Sequence, residues 1–358
     1  MSNNSDNTYF SPIQVRLFFR RARATGNTSI EDSFAEMQAA FPKDRGFIID
    51  SFRSSFYSNG LLPRLRAIHE VRRHQTTINH ITGDTNFLTL GLPRRTTILT
   101  IHDCGLLDGK NWLARWILKQ FWLKLPVKNS QIVTAVSEAT KQDIIRLTGC
   151  LAKKVTVIPT IIKSGFTYSP KPFQQDYPTI LHIGNAPNKN LERHAQALEG
   201  LPCHLHIVGQ ISNKQIDLLK KLKLDFSISY NLTIEALQDA YKQADILLFC
   251  STIEGFGMPI IEAQTVGRVV ITSSVSAMPE VAGEGACFAD PLSISDIRQA
   301  IQRVLQDKNY RNQLIYKGLE NIKRFKPETV AQQYADLYEK IDERRRYHQQ
   351  HNYAYSFR

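Results

Sequence analysis

The sequence predicts an α/β protein built on two doubly wound parallel sheets. Three observations lead there. The C-terminal half alternates short apolar runs with amphipathic stretches, the βαβα order of a parallel sheet with helices on both faces. The run Ile246-Leu247-Leu248-Phe249 is unbroken, as strands covered on both faces are. The N-terminal half holds two runs of the same kind, Thr97–Ile101 and Ile132–Val136, so a second sheet of that type is expected. At 358 residues the chain is long enough to bury two full cores.

The elements follow in order. The first residues, Met1-Ser2-Asn3-Asn4-Ser5-Asp6, are polar and lack the apolar core of a signal peptide. His102 and Asp103 end the strand Thr97–Ile101, and ligands in open α/β sheets bind outside the carboxyl ends of strands. Ser137 suits the N-cap of the helix after Val136. Lys163–Tyr177, with Pro170 and Pro172 inside it and Pro178 after it, is the expected linker. Strands are expected at Thr179–Gly184, His204–Val208, Phe226–Ser229, Asp245–Phe249 and Val269–Thr272. Helices are expected around Leu191–Leu198, Asn213–Leu222 and Ile234–Gln243, and Gly267 fits a helix C-cap. The tail Asp342–Arg358 is polar, basic and aromatic, and its end is expected to be disordered. We divide the chain into residues 1–165, 166–330 and 331–358.

Composition is that of a soluble globular protein, 42% hydrophobic and 22% charged. No apolar run approaches a membrane span. Five scattered cysteines, with no Cys-x-x-Cys pair, argue for a reducing compartment and against structural zinc. A nicotinamide fingerprint and a P-loop are both missing, since Gly255-Phe256-Gly257 is the only close glycine pair after a strand. The net charge of +12 is uneven: residues 1–170 hold 23 Lys+Arg and 12 Asp+Glu, leaving 22 and 21 for residues 171–358. The N-terminal half is therefore +11, which attracts an anionic partner such as lipid headgroups, a lipid-linked phosphate or a nucleic acid, unless it only solubilises the surface. All three tryptophans, Trp112, Trp116 and Trp122, fall in one segment with Lys110, Arg115, Lys119, Lys124 and Lys128. Two readings compete there. One is a membrane interface. The other is a helix packed on its own sheet with Leu113, Trp116, Ile117 and Phe121 inward, and it is slightly favoured.

The chemistry concentrates in Cys250-Ser251-Thr252-Ile253-Glu254-Gly255-Phe256-Gly257-Met258-Pro259-Ile260-Ile261-Glu262. Two carboxylates flank a glycine turn that follows a strand, and Pro259 suits the first turn of a helix. The glycines let the backbone come close to a ligand, and the helix N-terminus favours an anion. A ligand with hydroxyls at both ends and phosphates in the middle fits, which describes a nucleotide sugar. Lys189, in the turn after Gly184, can hold a diphosphate as a point charge.

This string resembles the E-x7-E motif of the retaining glycosyltransferases of family 4, which have the GT-B fold of two Rossmann-like domains facing across a cleft. Ile180-Leu181-His182-Ile183-Gly184, Asn188-Lys189-Asn190, Leu205-His206-Ile207-Val208-Gly209 and Ala277-Met278-Pro279-Glu280-Val281 resemble further landmarks in family order. His80-Ile81-Thr82-Gly83-Asp84 and the loop Gly26-Asn27-Thr28-Ser29-Ile30-Glu31 resemble N-terminal segments. Relatives usually carry an arginine where Asn185 or Asn188 stands, and Ile-Pro-Asn-Gly where Val157-Ile158-Pro159-Thr160 stands. The resemblance implies a nucleotide-diphospho-sugar donor, retention of configuration, and neither another cofactor nor an obligatory metal. It implies catalytic roles for His102 and Glu254. It puts Gly26, Gly184, Asn185, Lys189, Gly209, Tyr230, Leu232, Gly255, Phe256, Gly257, Met258 and Glu262 around the donor, with Asp84 and Asp103 on the acceptor side or cleft floor. The last helix, about Pro327–Arg345, is expected to return to the N-terminal domain. The expected donor is a hexose nucleotide, GDP-mannose slightly ahead of UDP-hexoses. The expected acceptor is a glycan or lipid phosphate at the cytoplasmic face of a membrane, with no nucleic acid bound. A nucleotide-sugar epimerase of the same fold and a non-catalytic basic anion- or nucleic-acid-binding protein are the alternatives.

Overall fold

The computed structural model describes residues 12–21, 29–58, 60–105, 109 and 111–355. The first sheet holds β1 (Ile13–Phe19), β2 (Phe47–Arg53), β3 (Ile78–Ile81), β4 (Thr97–Ile101), β5 (Ile132–Ala135) and β6 (Val155–Val157), ordered β2-β1-β3-β4-β5-β6. The second holds β7 (Thr179–Ile183), β8 (His204–Val208), β9 (Asp225–Ser229), β10 (Ile246–Phe249), β11 (Val269–Ser273) and β12 (Cys287–Ala289), ordered β12-β11-β10-β7-β8-β9. Neighbouring strands run parallel throughout.

The packing explains the apolar runs. In β10, Leu247 and Phe249 enter the core on one face of the sheet, while Ile246 and Leu248 enter the core on the other. Cys203, Cys250 and Cys287 fill that second core as free thiols. Strand order reverses between β7 and β10, which opens a crevice at their carboxyl ends. In the first sheet the reversal lies between β1 and β3.

β1 and β2 were not expected, because charges interrupt them. Arg16 and Asp50 sit opposite each other in register, and the guanidinium donates to the carboxylate from Nε at 2.7 Å. An edge strand tolerates such a pair on its polar face.

The final helix spans Pro327–Tyr355 and runs past the expected end at Arg345. Asp342 accepts from Arg345 and Arg346, and Arg345 donates to Gln349, so pairs three and four residues apart carry the polar stretch on as helix. The last three residues lie outside the described part of the chain. Tyr334, Tyr338 and Ile341 of this helix are buried with Val15, Phe34, Phe41, Ile78 and Ile158 of the first sheet's core. Tyr338 bonds His80 Nδ1 at 2.8 Å, and Thr100 bonds His80 Nε2 at 2.7 Å, so His80 is a core residue. Burial lowers its pKa to about 3.

The inward reading of the tryptophan segment is overturned. The helix Trp112–Leu118 continues as a π-helical stretch, Lys119–Lys124, and then as Leu125–Lys128. Leu123 and Val127 are buried beneath it, with Leu118 and Trp122 packed against the same core. Trp112, Leu113, Trp116, Ile117 and Phe121 are exposed. The segment is apolar on two faces, so periodicity alone could not say which face is inside.

Candidate active site

Three turns line the carboxyl edge of the second sheet. Gly184 follows β7, Gly209 follows β8, and Tyr230 follows β9. Gly184 has φ +103, and a Cβ there would lie 2.8 Å from Lys189 Cγ, so the lysine stem lies across the bare glycine. Gly209 packs on the Gly184 backbone, where a Cβ would come within 3.1 Å of its carbonyl carbon. Asn185 donates to the Gln210 carbonyl at 2.7 Å, tying the first two turns together. Tyr230 is exposed, and Leu232 is half-buried.

A buried histidine pair underlies the first turn. His182 Nε2 donates to the Gly184 carbonyl at 2.9 Å, which leaves Nδ1 to accept from His194 Nδ1 at 3.0 Å. Burial lowers the His182 pKa to about 4 and holds His194 well below its usual value. Asn190 sits in the left-handed region at the N-cap of Leu191–Leu198. Its amide donates to the carbonyls of Cys250 at 3.0 Å and Pro291 at 2.7 Å, which fixes the Lys189 turn against the end of β10.

Across the switch point stands the loop after β10. Lys189 Nζ bonds Glu254 Oε1 at 2.6 Å, with the two side chains 20% and 14% exposed. Asn188 donates to the Ile253 carbonyl at 2.9 Å and more weakly to Glu254 Oε1 at 3.4 Å. The Ser276 hydroxyl clamps the Glu254 backbone, accepting from its N–H at 3.2 Å and donating to its carbonyl at 2.8 Å. Sequence reasoning missed Ser276, which stands at a positive φ of 58° in the structure and has no local sequence signal.

Gly257, at φ +105, caps the helix Met258–Val266, with Pro259 in its first turn. Met258 is half-buried, and Phe256 has its ring in the core, edge-on to Phe325, so its backbone is what the loop can offer a ligand. Glu262 is buried on the same helix, and its Oε2 accepts from the Tyr241 hydroxyl at 2.7 Å. Burial raises its pKa, against the pull of Tyr241, Lys163 and Lys189.

Gly255 has a different reason from the expected one. A Cβ on it would fall far inside contact distance of the His102 carbonyl oxygen, so the glycine admits the other half of the protein. Its own carbonyl accepts from Ser137 at 2.6 Å and Thr140 at 3.0 Å. Ser137 also caps its helix as expected, accepting from the Thr140 N–H at 3.0 Å.

On the facing side, His102 Nε2 donates to the Thr82 carbonyl at 2.8 Å, which leaves Nδ1 with the lone pair in the neutral ring. Its ring lies on Gly83, where a Cβ would be 2.5 Å from His102 Cδ2. Asp103 accepts from the Gly105 N–H at 2.9 Å. Asp103, Arg115, Arg146, Arg193 and Glu254 border a cavity of about 820 Å³ between the halves. Asp84 is apart from that cavity. It pairs with Arg20 at 2.6 Å, which also holds Glu31 at 3.0 Å, at the switch point of the first sheet. Gly26 lies outside the described residues, and the helix after it begins at Ser29.

Two doubly wound parallel sheets facing across a cleft are the architecture of the GT-B class of glycosyltransferases. The family description "Glycosyl transferases group 1" matches residues 167–321, and "Glycosyltransferase Family 4" matches residues 14–164. The chain belongs to glycosyltransferase family 4. It is 27% identical over 326 residues to the O-antigen chain mannosyltransferase B of Escherichia coli, covering 84% of this chain and 82% of that one. Among solved structures, sucrose-phosphate synthase from Thermosynechococcus elongatus superposes with TM-score 0.73 at 17% identity, over 92% of this chain and 99% of that one. The Anabaena protein HepE, solved with UDP and glucose, gives 0.69 at 15% identity, over 91% and 99%. These two likenesses establish the fold. Both matched families are glycosyltransferases, so the epimerase and the anion-binding alternatives are not favoured.

Proposed function

We propose that this chain is a retaining hexosyltransferase. It moves a mannose- or glucose-type sugar from a nucleotide-diphospho donor to a glycan or lipid-phosphate acceptor in cell-surface polysaccharide synthesis. GDP-mannose is favoured over a UDP-hexose because the mannosyltransferase relative aligns over most of both chains. The observation that carries the reading is the Lys189–Glu254 pair at the switch point, beside the N-terminus of Met258–Val266.

In this reading residues 166–330 hold the donor and residues 1–165 present the acceptor. Lys189 and the helix N-terminus take the diphosphate, and Glu254 turns to the sugar hydroxyls and the positive charge that develops at the ring. Glu262 holds the ribose hydroxyls. The acceptor oxygen bonds to the anomeric carbon on the face from which the diphosphate leaves, and the departing phosphate oxygen takes the acceptor's proton. No protein nucleophile is needed. His102 supports the transferred sugar from the facing unit. The enzyme works at the cytoplasmic face of a membrane.

Thermal shift with GDP-mannose, GDP, UDP-glucose and UDP tests the donor. A true donor at a hundred times its dissociation constant adds about 2.7 kcal/mol. NMR of the new linkage tests retention. No stabilisation by any nucleotide, or an inverted linkage, overturns the reading.

A further inference from the structure

The outward face of the Trp112–Lys128 segment has no use in the donor chemistry. Trp112 is 79% exposed and Trp116 is 55% exposed, and Leu113, Ile117 and Phe121 stand exposed with them. Trp112 and Trp116, and Leu113, Ile117 and Phe121, repeat at four-residue spacing and stand exposed, while Leu123 and Val127 further along the segment are buried. From residue 112 to 128 the chain carries Arg115, Lys119, Lys124 and Lys128 and no Asp or Glu. The helix Leu61–Arg73 meets this segment at Arg64, whose guanidinium lies 5.4 Å from the Trp122 ring. That second helix adds exposed Leu61, Leu62 and Leu65, with Arg66 between its turns.

Exposed indoles and aliphatic side chains interleaved with cations, with no acidic residue from 112 to 128, match one environment. They fit the boundary between acyl chains and anionic headgroups. Among the described residues no helix is long and apolar enough to cross a membrane, so the contact lies along the surface. Lys110 lies outside the described residues.

We infer that the exposed face of Trp112–Phe121, with the start of Leu61–Arg73, docks the protein on an anionic bilayer, the indoles entering the interface and Lys119 and Lys124 meeting headgroups. The inference deepens the proposed function by locating the surface where the acceptor is met, and it is independent of the donor's identity. Arg115 on the same helix borders the cavity shared with Asp103 and Glu254. A lipid-anchored acceptor can thus keep its tail in the bilayer while its sugar reaches the cleft.

The chain's three tryptophans all lie in this segment, so their fluorescence reports on it directly. The full chain is mixed with phosphatidylcholine vesicles, with and without phosphatidylglycerol, some carrying brominated acyl chains. On anionic vesicles the emission should move to the blue and be quenched by bromine. In Trp112→Phe/Trp116→Phe the remaining Trp122, packed on Phe87 at 5.5 Å, should show neither change although binding persists. Lys119→Gln/Lys124→Gln should weaken partition by roughly thirtyfold, at about 1 kcal/mol per basic residue converted at 1.4 kcal/mol per decade. Trp112→Ser/Trp116→Ser/Phe121→Ser should lose at least tenfold more.

Equal partition onto neutral vesicles, no partition, or partition indifferent to these substitutions overturns the inference. So does a lipid-free oligomer that the serine variant disperses, because the face would then join two copies. Nucleotide-sugar thermal shift on the same samples reads the donor site separately. A chain that binds donor but no vesicle overturns this inference alone.

Discussion

Glu254→Gln should make the protein bind a bare nucleoside diphosphate more tightly while nearly abolishing transfer. Lys189 is paired with Glu254, its Nζ 2.6 Å from the carboxylate. A diphosphate must take the lysine from that carboxylate. Exposed ion pairs are worth about 0–1 kcal/mol, and breaking a sealed one costs about 3–5 kcal/mol. This pair, 20% and 14% exposed, lies between them, at about 1–2 kcal/mol. At about 1.4 kcal/mol per decade, removing the competing charge should tighten GDP by roughly 5- to 30-fold. The transfer rate should fall by about a hundredfold to a thousandfold, the usual loss for an electrostatic stabiliser. Calorimetry with GDP on wild type, Glu254→Gln, Lys189→Ala and the double variant reads both parts. Lys189→Ala should weaken GDP roughly a hundredfold, and in its background Glu254→Gln should gain nothing. A Glu254→Gln affinity within twofold of wild type, or weaker, would refute the competition.

Three further outcomes are expected. Glu262→Gln should weaken GDP and also stabilise the ligand-free fold at neutral pH. Burial raises the native pKa of Glu262, so ionising it costs stability as pH rises through the carboxylate range; equal melting temperatures at pH 7 would contradict this. Acid should destabilise the protein earlier than its carboxylates alone require. His80 and His182 are held neutral with pKa lowered to about 3 and about 4, and His194 shifts the same way. Their contribution is complete above the unfolded value of about 6.5 and is lost as pH falls toward those lowered values. Melting temperatures recorded from pH 7.5 to 4 should decline from about 6.5 downward, and a flat profile to pH 5 would count against buried neutral rings. Gly255→Ala should push the loop off the His102 carbonyl, costing about 1–3 kcal/mol and most of the activity; a variant with wild-type melting and rate would mean that the two halves need not meet there.

What the sequence showed and hid follows from the range of the interactions. The strand, turn and helix at 246–266 were legible because a doubly covered strand is an apolar run and a helix start has local chemistry. The Asn188-Lys189-Asn190 turn was legible for the same reason. That Lys189 would be held by Glu254, 65 residues on, was not, nor that Ser276 would clamp the loop. Gly255 was expected to admit a ligand and instead admits a carbonyl from the other half, which no local pattern records. The tryptophan segment misled because an apolar helix does not say which face the core will take. The final helix was cut short because its last turns rest on Asp342 and its arginines, with little apolar periodicity to announce them.

The burial of Tyr334, Tyr338 and Ile341 among Val15, Phe34 and Ile158 sets a timetable for synthesis. Every strand of the first sheet has been made once Val157 is in place, yet the last wall of its core arrives with Tyr338, 180 residues after Ile158. At about 5–20 residues per second the ribosome needs roughly 9 to 36 s for that interval. The whole second sheet is translated within it. The second half can therefore fold on the ribosome, while the first waits with an apolar groove open beside His80. Chaperones should engage the nascent chain at that groove. A premature stop shortly before Tyr334 should spare the later-made half and ruin the earlier one.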